Sequence, residues 1–179
     1  MPNTGFIMPE AVWSFNRICY TIYKWQIREG KSMEYVNARE YFEQAVNLRF
    51  EMINNLSCLP GFEMDEPFRE ITRQFFADGD QTTLLAVDNG EAVACATICY
   101  VTCLPTRRHQ TGKRAHIMNV YTRAAYRRQG IGKRLVQMLI SEAREKGVTH
   151  ISLDATDMGR PLYEGLGFHE SNEYLEINL

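Results

Sequence analysis

Two spacings of apolar residues divide this chain into helices and strands. Apolar side chains recur every three or four positions in some segments, as Ile131, Leu135 and Leu139 do, which is typical of an amphipathic helix. Shorter runs rich in β-branched and aromatic residues, such as 115–122, indicate strands. The predicted helices cover 40–54, 67–76, 130–146 and 158–166, and the predicted strands cover 35–38, 83–87, 92–104, 115–122, 148–153 and part of 168–177.

Turn-forming residues support these boundaries. Asn89-Gly90 lies between two predicted strands and is a strong signal for a tight hairpin. Gly147 follows the 130–146 helix at the position where a left-handed glycine commonly ends a helix. The element order β-α-α-β-β-β-α-β-α-β begins with a hairpin and ends in strand–helix–strand units. We therefore predict an α/β (α+β) fold in which helices pack on a mixed sheet.

The first 32 residues differ from the rest of the chain. Several aromatic residues occur there, but few structural signals do, although Val12–Lys31 is compatible with a helix. A pattern typical of a domain start begins at Met33. We predict an N-terminal extension over 1–32, which packs on a neighbouring subunit or covers the sheet, followed by one domain over 33–179.

Composition narrows the class of protein. The formal net charge of −2 argues against a dedicated nucleic-acid-binding protein. No apolar run reaches 18 residues and no secretory signal is present, so we expect a cytoplasmic protein without membrane association. Cys95, Cys99 and Cys103 recur every four residues in a predicted strand, which places them on one face as small buried thiols. Their spacing does not favour a metal site, and we predict none.

The segment 119–135 carries the clearest chemical signal. It combines a predicted strand, a basic loop, two glycines and a helix start, with five basic and no acidic residues between 123 and 134. A helix N-terminus presents free N–H groups and the positive end of the helix dipole, and glycine lets a ligand approach the backbone closely. The pattern therefore predicts a site for a polyanion such as a diphosphate.

Several interpretations of this loop compete. A P-loop needs a glycine where Arg127 stands and Ser or Thr where Arg134 stands, so it is excluded. A dinucleotide fingerprint needs a third glycine where Leu135 stands, although Asp154 lies near the distance expected of a ribose-binding acid. A solvated basic helix start without a ligand also stays open.

A further interpretation is the acetyl-coenzyme A loop, Arg/Gln-x-x-Gly-x-Gly/Ala, which the sequence Arg-Arg-Gln-Gly-Ile-Gly at 127–132 matches fully. About thirty residues later, Pro-Leu-Tyr-Glu-Gly-Leu-Gly-Phe at 161–168 looks like a second motif of the same family. Over about residues 33–179, the chain resembles the GCN5-related N-acetyltransferase (GNAT) superfamily. The resemblance implies a mostly antiparallel twisted sheet with two splayed parallel strands. It also implies transfer of an acetyl group from acetyl-CoA to a primary amine through a tetrahedral intermediate.

The resemblance also implies which residues hold the coenzyme. The pantetheine arm would pair with the strand at 119–122, and the Val120 N–H would hold the thioester carbonyl. Backbone amides of 129–133 would bind the pyrophosphate, with added charge from Arg127 and Arg128. The implied coenzyme-binding residues are Val120, Tyr121, Thr122, Arg127, Arg128, Gln129, Gly130, Ile131, Gly132 and Lys133.

Three side chains are the catalytic candidates that the resemblance implies. Tyr163 occupies the family's usual position for the general acid, which returns a proton to the leaving thiolate. His116 is a candidate base because imidazole has a suitable pKa, and Asn119 is a candidate for orienting the substrate or a water. A core tyrosine, an ordinary strand histidine and an ordered water chain as base remain alternatives.

The acceptor and the assembly stay open from the sequence. An acidic cluster of Glu63, Asp65, Glu66 and Glu70 would attract a cationic amine, and the basic loop at 105–114 would suit an acidic substrate. A non-catalytic acyl-CoA-binding module is an alternative function, and a nicotinamide-dependent oxidoreductase is a more distant one. A homodimer is an expectation without a specific sequence signal.

Overall fold

A computed structural model describes residues 25–26, 32–56, 65–171, 175 and 177. The strands are β1 (Trp25–Gln26), β2 (Ser32–Asn37), β3 (Gln81–Asp88), β4 (Glu91–Thr102), β5 (Lys113–Thr122) and β6 (His150–Leu153). The α-helices are α1 (Phe42–Leu56), α2 (Glu66–Asp78), α3 (Ile131–Glu145) and α4 (Arg160–Glu164), with short 3₁₀ turns at Ala38–Tyr41 and Ala124–Tyr126.

The six strands form one sheet in chain order, β1-β2-β3-β4-β5-β6. Every neighbouring pair is antiparallel except β5 and β6, which run parallel through the α3 crossover. Asn89 and Gly90 both have positive φ, at 53° and 81°, as a two-residue hairpin turn requires. The predicted mixed sheet and its hairpin are therefore confirmed.

Helices cover both faces of the sheet. The apolar stripe of α3 packs on one face with Tyr163 of α4, against Ala115 and Ile117 of β5. On the opposite face, Leu48 of α1 packs with the other side of the same strands. α2 contacts α1 through a smaller aromatic cluster. The core thus fixes β5 between two layers, so its end is held in a defined position.

Helix ends follow the local chemistry that the sequence suggested. Asp65 caps α2 by accepting the Phe68 N–H at 3.0 Å, and proline stands in the first turn. Gly147 has φ 75° directly after α3, as predicted for its C-terminal end. An unpredicted feature is the 3₁₀ turn before α1, which Asn37 caps by accepting the Arg39 N–H at 3.0 Å.

Two predictions at the chain ends need correction or stay open. Trp25 and Gln26 form a strand that pairs with Met33 and Ser32, so the helix suggested over Val12–Lys31 is wrong at those two residues. The rest of that extension lies outside the described residues, and its boundary and role stay predictions. In the strand predicted within 168–177, residues 168–171 are not extended in a sheet, and the remainder lies largely outside the described part.

Candidate active site

The edge of β5 opens where the candidate site lies. β5 and β6 pair only from Arg114–His150 to Ile117–Leu153, although β5 continues to Thr122. β6 ends at Leu153, so β5 continues from Met118 to Thr122 beyond the end of its parallel neighbour. The resulting gap is the splay that the family resemblance predicts.

A bulge shapes the open part of β5. Cys95 pairs with Tyr121 and Thr97 with Met118, so that Asn119 and Val120 together face one residue of β4. Asn119 has φ 54°, an uncommon value for a residue with a side chain. The bulge turns the backbone locally at the residues expected to meet the thioester.

Backbone direction along β5 follows from one hydrogen bond. The Arg123 N–H donates to the Val93 carbonyl of β4 at 3.0 Å. Because successive N–H groups of a strand point to opposite sides, that of Thr122 points to the open edge. Val120 lies on the bulge two residues earlier, and its binding of the thioester carbonyl stays a prediction.

The turn into α3 presents a row of unused donors. Gly130 caps the helix with φ 79°, and residues 127–130 are exposed. Within the described part of the chain, no acceptor binds the backbone N–H groups of 129–133, whereas Arg134 N–H already donates to the Gly130 carbonyl. These amides and the helix dipole are suited to an anion, and their binding of a diphosphate stays a prediction.

Three structural elements meet at Gly132. A Cβ placed there would lie 3.5 Å from Leu162 of α4 and 3.6 Å from the Thr122 hydroxyl at the end of β5. Both are ordinary contact distances. The anion-binding turn, the open strand edge and α4 are therefore adjacent, although they are far apart in the sequence.

The basic side chains of the loop divide into two groups. Arg123 is held by Glu51, with Nε 2.9 Å from Oε2, and by Glu91. Arg127 donates from Nε to the Thr122 carbonyl at 2.9 Å, and its guanidinium carbon lies 6.0 Å from the centroid of the Tyr121 ring. Arg123 therefore stabilises the fold, whereas Arg127, exposed Arg128 and exposed Lys133 surround the turn.

Some predicted coenzyme contacts can involve only the backbone. The Ile131 side chain is buried in the core beneath α3, and Tyr121 faces α1, where its hydroxyl donates to Glu51 at 2.9 Å. The Gln129 side chain donates to the Ala125 carbonyl at 3.2 Å. Glu51 was missed by the sequence analysis, since nothing in the helical pattern of α1 marks a residue that anchors a loop 72 positions away.

Tyr163 stands beside this junction in α4. The Tyr163 side chain is 9% exposed, and its ring packs edge-on against the Phe168 ring. The preceding residue in the chain, Leu162, borders Gly132. The hydroxyl has no hydrogen-bond partner among the described residues. Burial raises the pKa of Tyr163, so the phenol stays protonated at neutral pH. A protonated, unengaged hydroxyl is the state that a general acid needs.

His116 is less well placed for catalysis. Its Nδ1 lies 2.9 Å from the Ser152 hydroxyl, and its Nε2 lies 3.6 Å from an Asp154 carboxylate oxygen. It belongs to the paired part of β5, four residues before Val120, or about 13 Å along a regular strand. The structure therefore does not bring His116 directly to the predicted thioester position, so a water would have to relay the proton.

Asn119 lies nearer, on the bulge itself. The side chain is 7% exposed, and its amide nitrogen donates to the Thr97 hydroxyl at 3.2 Å. Its Oδ1 is a buried acceptor with no partner within the described part of the chain. A buried acceptor without a donor is costly, and a bound donor group would satisfy it.

The acidic cluster is accounted for by local structure. Arg73 lies 3.1 Å from Glu66, 3.8 Å from Glu70 and 3.5 Å from Glu43, and Asp65 caps α2. Glu63 lies outside the described residues. Because Arg73 already pairs with these carboxylates, the cluster is poorly suited to attract a cationic amine.

The described residues include three free cysteines and no grouping of side chains suited to a metal ion. Cys95, Cys99 and Cys103 are free thiols, and Cys95 is fully buried. Across 25–26, 32–56 and 65–171, no group of three His, Cys, Asp or Glu side chains is arranged to bind a metal. None of the helices seen in those ranges combines the length and apolarity needed to cross a bilayer.

Proteins of known family are similar to this chain in sequence and in fold. The Acetyltransferase (GNAT) family model matches residues 50–168. A probable glucosamine 6-phosphate N-acetyltransferase 2 of Oryza sativa subsp. japonica is 30% identical over 129 residues, covering 70% of this chain and 76% of that protein. The glucosamine 6-phosphate N-acetyltransferase of Trypanosoma brucei brucei is 34% identical over 64 residues, or 36% of this chain, and the match spans only 44% of that relative.

A solved structure agrees with the fold. A predicted acetyltransferase from Clostridium acetobutylicum, crystallised with acetyl-CoA, superposes with a TM-score of 0.73 at 28% identity, over 82% of this chain and 96% of its own. The family match runs from α1 through α4 and so includes the bulge, the α3 turn and Tyr163. The chain therefore belongs to the GNAT acetyltransferase family.

Proposed function

We propose that this protein is an N-acetyltransferase that transfers the acetyl group of acetyl-CoA to a primary amine. The observation that carries the proposal is the row of free N–H groups at 129–133, next to the open edge of β5. The N–H groups are suited to a diphosphate, and the open strand edge is suited to an extended arm that carries amide groups. Titration calorimetry with acetyl-CoA and with NADH tests it, together with thiol release over a panel of amines. Binding of NADH alone would overturn the assignment.

The chain's own groups suggest how such a transfer would proceed. The amides at the α3 turn bind the pyrophosphate, while the Val120 N–H points at the thioester oxygen. A donor there stabilises the oxyanion of the tetrahedral intermediate, which is commonly worth about 3–4 kcal/mol in acyl transfer. The thioester supplies an activated acyl group and a thiolate leaving group.

Proton movements would involve both faces of the splay. The amine has to lose a proton before or during its attack on the thioester carbon, and the C–N bond forms as the C–S bond breaks. Tyr163 is protonated at neutral pH and supplies a proton to the departing sulfur. For the amine, an ordered water chain that reaches the buried Asn119 Oδ1 suits the geometry better than direct contact with His116.

Removal of Arg127 should weaken the coenzyme complex. Arg127 is exposed three residues before Gly130, and a charged hydrogen bond from its guanidinium to a phosphate contributes about 1–3 kcal/mol. We expect Arg127→Ala to raise the calorimetric Kd for acetyl-CoA accordingly. Arg144→Ala removes the same charge from an exposed position near the other end of α3 and should leave Kd unchanged. Equal effects of the two variants would mean that only the overall charge matters.

A non-catalytic acyl-CoA-binding module has one observation in its favour, because both ring nitrogens of His116 already face partners. The discriminating measurement is turnover of Tyr163→Phe and His116→Ala with acetyl-CoA binding monitored in parallel. Loss of turnover in Tyr163→Phe with binding intact supports the enzyme. Unchanged release of thiol in both variants supports the binding module.

The relatives also suggest a kind of acceptor. Two of them are named for acetylation of glucosamine 6-phosphate, an amine that carries a phosphate. An amine with an anionic substituent is therefore included in the proposed acceptor range, alongside amino acids and peptides. The free thiols are compatible with the expected cytoplasmic location. That location and the homodimer stay predictions.

A further inference from the structure

An arginine of α1 lies on the acceptor side of the sheet without an anionic partner. Arg49 is half-buried, and its guanidinium is close enough to the thiols of Cys95 and Cys99 to interact with them electrostatically. No hydrogen bond or ion pair joins it to another residue in the described ranges. Arg73 of α2 and Arg123, which follows β5, differ from Arg49 because both are held by glutamates.

The neighbouring thiols do not neutralise this charge. Burial raises the pKa of Cys95 to about 12 and also raises the pKa of Cys99, so both are neutral at physiological pH. Arg49 is half-buried, so its charge is partly removed from water, and this burial lowers its pKa. A partly desolvated guanidinium without an anion is unfavourable, and an anionic ligand would compensate for it.

Arg49 shares its face of the sheet with the proposed reaction centre. Cys99 pairs directly with His116 and Thr97 pairs with Met118, and directly paired residues place their side chains on the same face. The Cys99 thiol contacts the Met118 sulfur at 3.5 Å. This face is opposite to the one that α3 and α4 cover, so an acceptor could approach the splay from it while the coenzyme occupies the α3 side.

Two further observations mark this face as a place for a polar ligand. Among the described residues, no donor reaches the buried Asn119 Oδ1, and the Asn119 amide nitrogen is bound to Thr97 on the same face as Arg49. Met118 of this face is 40% exposed and contacts the Cys99 thiol, which leaves an accessible apolar surface there. An acceptor with an amine at one end and an anion at the other would meet complementary groups at both.

We propose that Arg49 binds an anionic group, a carboxylate or a phosphate, on the acceptor amine. The proposal rests on the N-acetyltransferase function above and specifies its substrate class. Guanidinium binds both kinds of anion through paired N–H donors, so the shared chemistry is a planar pair of anionic oxygens. The amine then lies toward Asn119 and the thioester. Arg49 is thus a specificity-determining residue outside the coenzyme site.

The test compares matched acceptors that differ only in the anion. Calorimetry on the full chain saturated with coenzyme A, which carries no acetyl group to transfer, measures binding of glucosamine 6-phosphate against glucosamine and of phenylalanine against phenylalaninamide. We expect at least one anionic member to bind tenfold or more tightly than its neutral partner. The sugar pair tests whether Arg49 binds a phosphate, and the amino-acid pair tests whether it binds a carboxylate. Arg49→Met should abolish that preference, whereas Arg49→Lys should keep part of it.

Each result decides the proposal without depending on catalysis. Equal binding within both pairs, or a preference that survives in Arg49→Met, overturns the role of Arg49. The coenzyme A affinity of each variant, measured in the same titration, shows that the fold and the coenzyme site persist. Failure of every amine to release thiol from acetyl-CoA would instead overturn the proposed function, even with anion-selective binding intact.

Discussion

Gly132→Glu should abolish acetyl-CoA binding while the protein remains folded. Gly132 lies in the first turn of α3, where backbone N–H groups face the predicted diphosphate and a Cβ meets its neighbours at ordinary contact distances. A carboxylate about 4 Å from a phosphate charge costs about 4 kcal/mol at an effective dielectric constant of 20. The expected loss in affinity is therefore at least about 100-fold by calorimetry.

Gly132→Gln is the matched control, because it has the same size without the charge. It should weaken binding less than Gly132→Glu, and the difference isolates the electrostatic part. Gly130→Glu should also abolish binding, but its φ of 79° adds backbone strain of about 1–2 kcal/mol. Circular dichroism and thermal unfolding separate loss of binding from loss of fold. A Gly132→Glu protein with wild-type affinity would show that the coenzyme does not bind this turn.

Tyr163→Phe should lower kcat by about 10²–10⁴-fold with the acetyl-CoA Kd unchanged. Phenylalanine keeps the edge-on contact with Phe168 and loses only the hydroxyl, which has no partner in the described part of the chain. Stopped assays of thiol release and calorimetry measure the two quantities separately. Because burial raises the pKa of Tyr163, the wild-type phenol remains a proton donor through neutral and mildly alkaline pH. No alkaline loss of rate should arise from it in that range.

Tyr100→Phe provides the comparison for Tyr163. Its hydroxyl donates to Glu142 at 2.9 Å on α3, away from the splay, so its removal should cost about 1 kcal/mol of stability and leave kcat unchanged. Equal kcat in Tyr163→Phe and the wild type would exclude the tyrosine as the acid. Equal losses in both tyrosine variants would point to a general loss of packing instead.

Local signals in the sequence were sufficient for much of the fold. α3 was predicted within one residue at each end because Gly130 and Gly147 take left-handed conformations that few other residues tolerate. The start of α1 was placed two residues early, because Asn37 caps a 3₁₀ turn that precedes the helix. Such cap chemistry has the same sequence signature in either kind of helix.

The candidate site was harder to predict, because its partners are distant in the chain. The motif at 127–132 locates the anion-binding turn, whose N–H groups need no specific side chain. Whether a basic side chain is free to bind a ligand depends on tertiary structure. Arg123, for example, pairs with Glu51, which lies 72 positions earlier in the chain. The missing counter-charge of Arg49 also becomes visible only when α1 packs on β4.

Because β6 ends while β5 continues, the open edge of β5 has a consequence for how the protein persists in a cell. Amides left without a neighbouring strand are the part of a sheet to which another extended chain most readily adds, and such addition is a common origin of self-association. An acyl-coenzyme lying along that edge would act as a substitute strand. By mass action, an abundant coenzyme would then protect the enzyme from aggregation as well as supply it with acetyl groups.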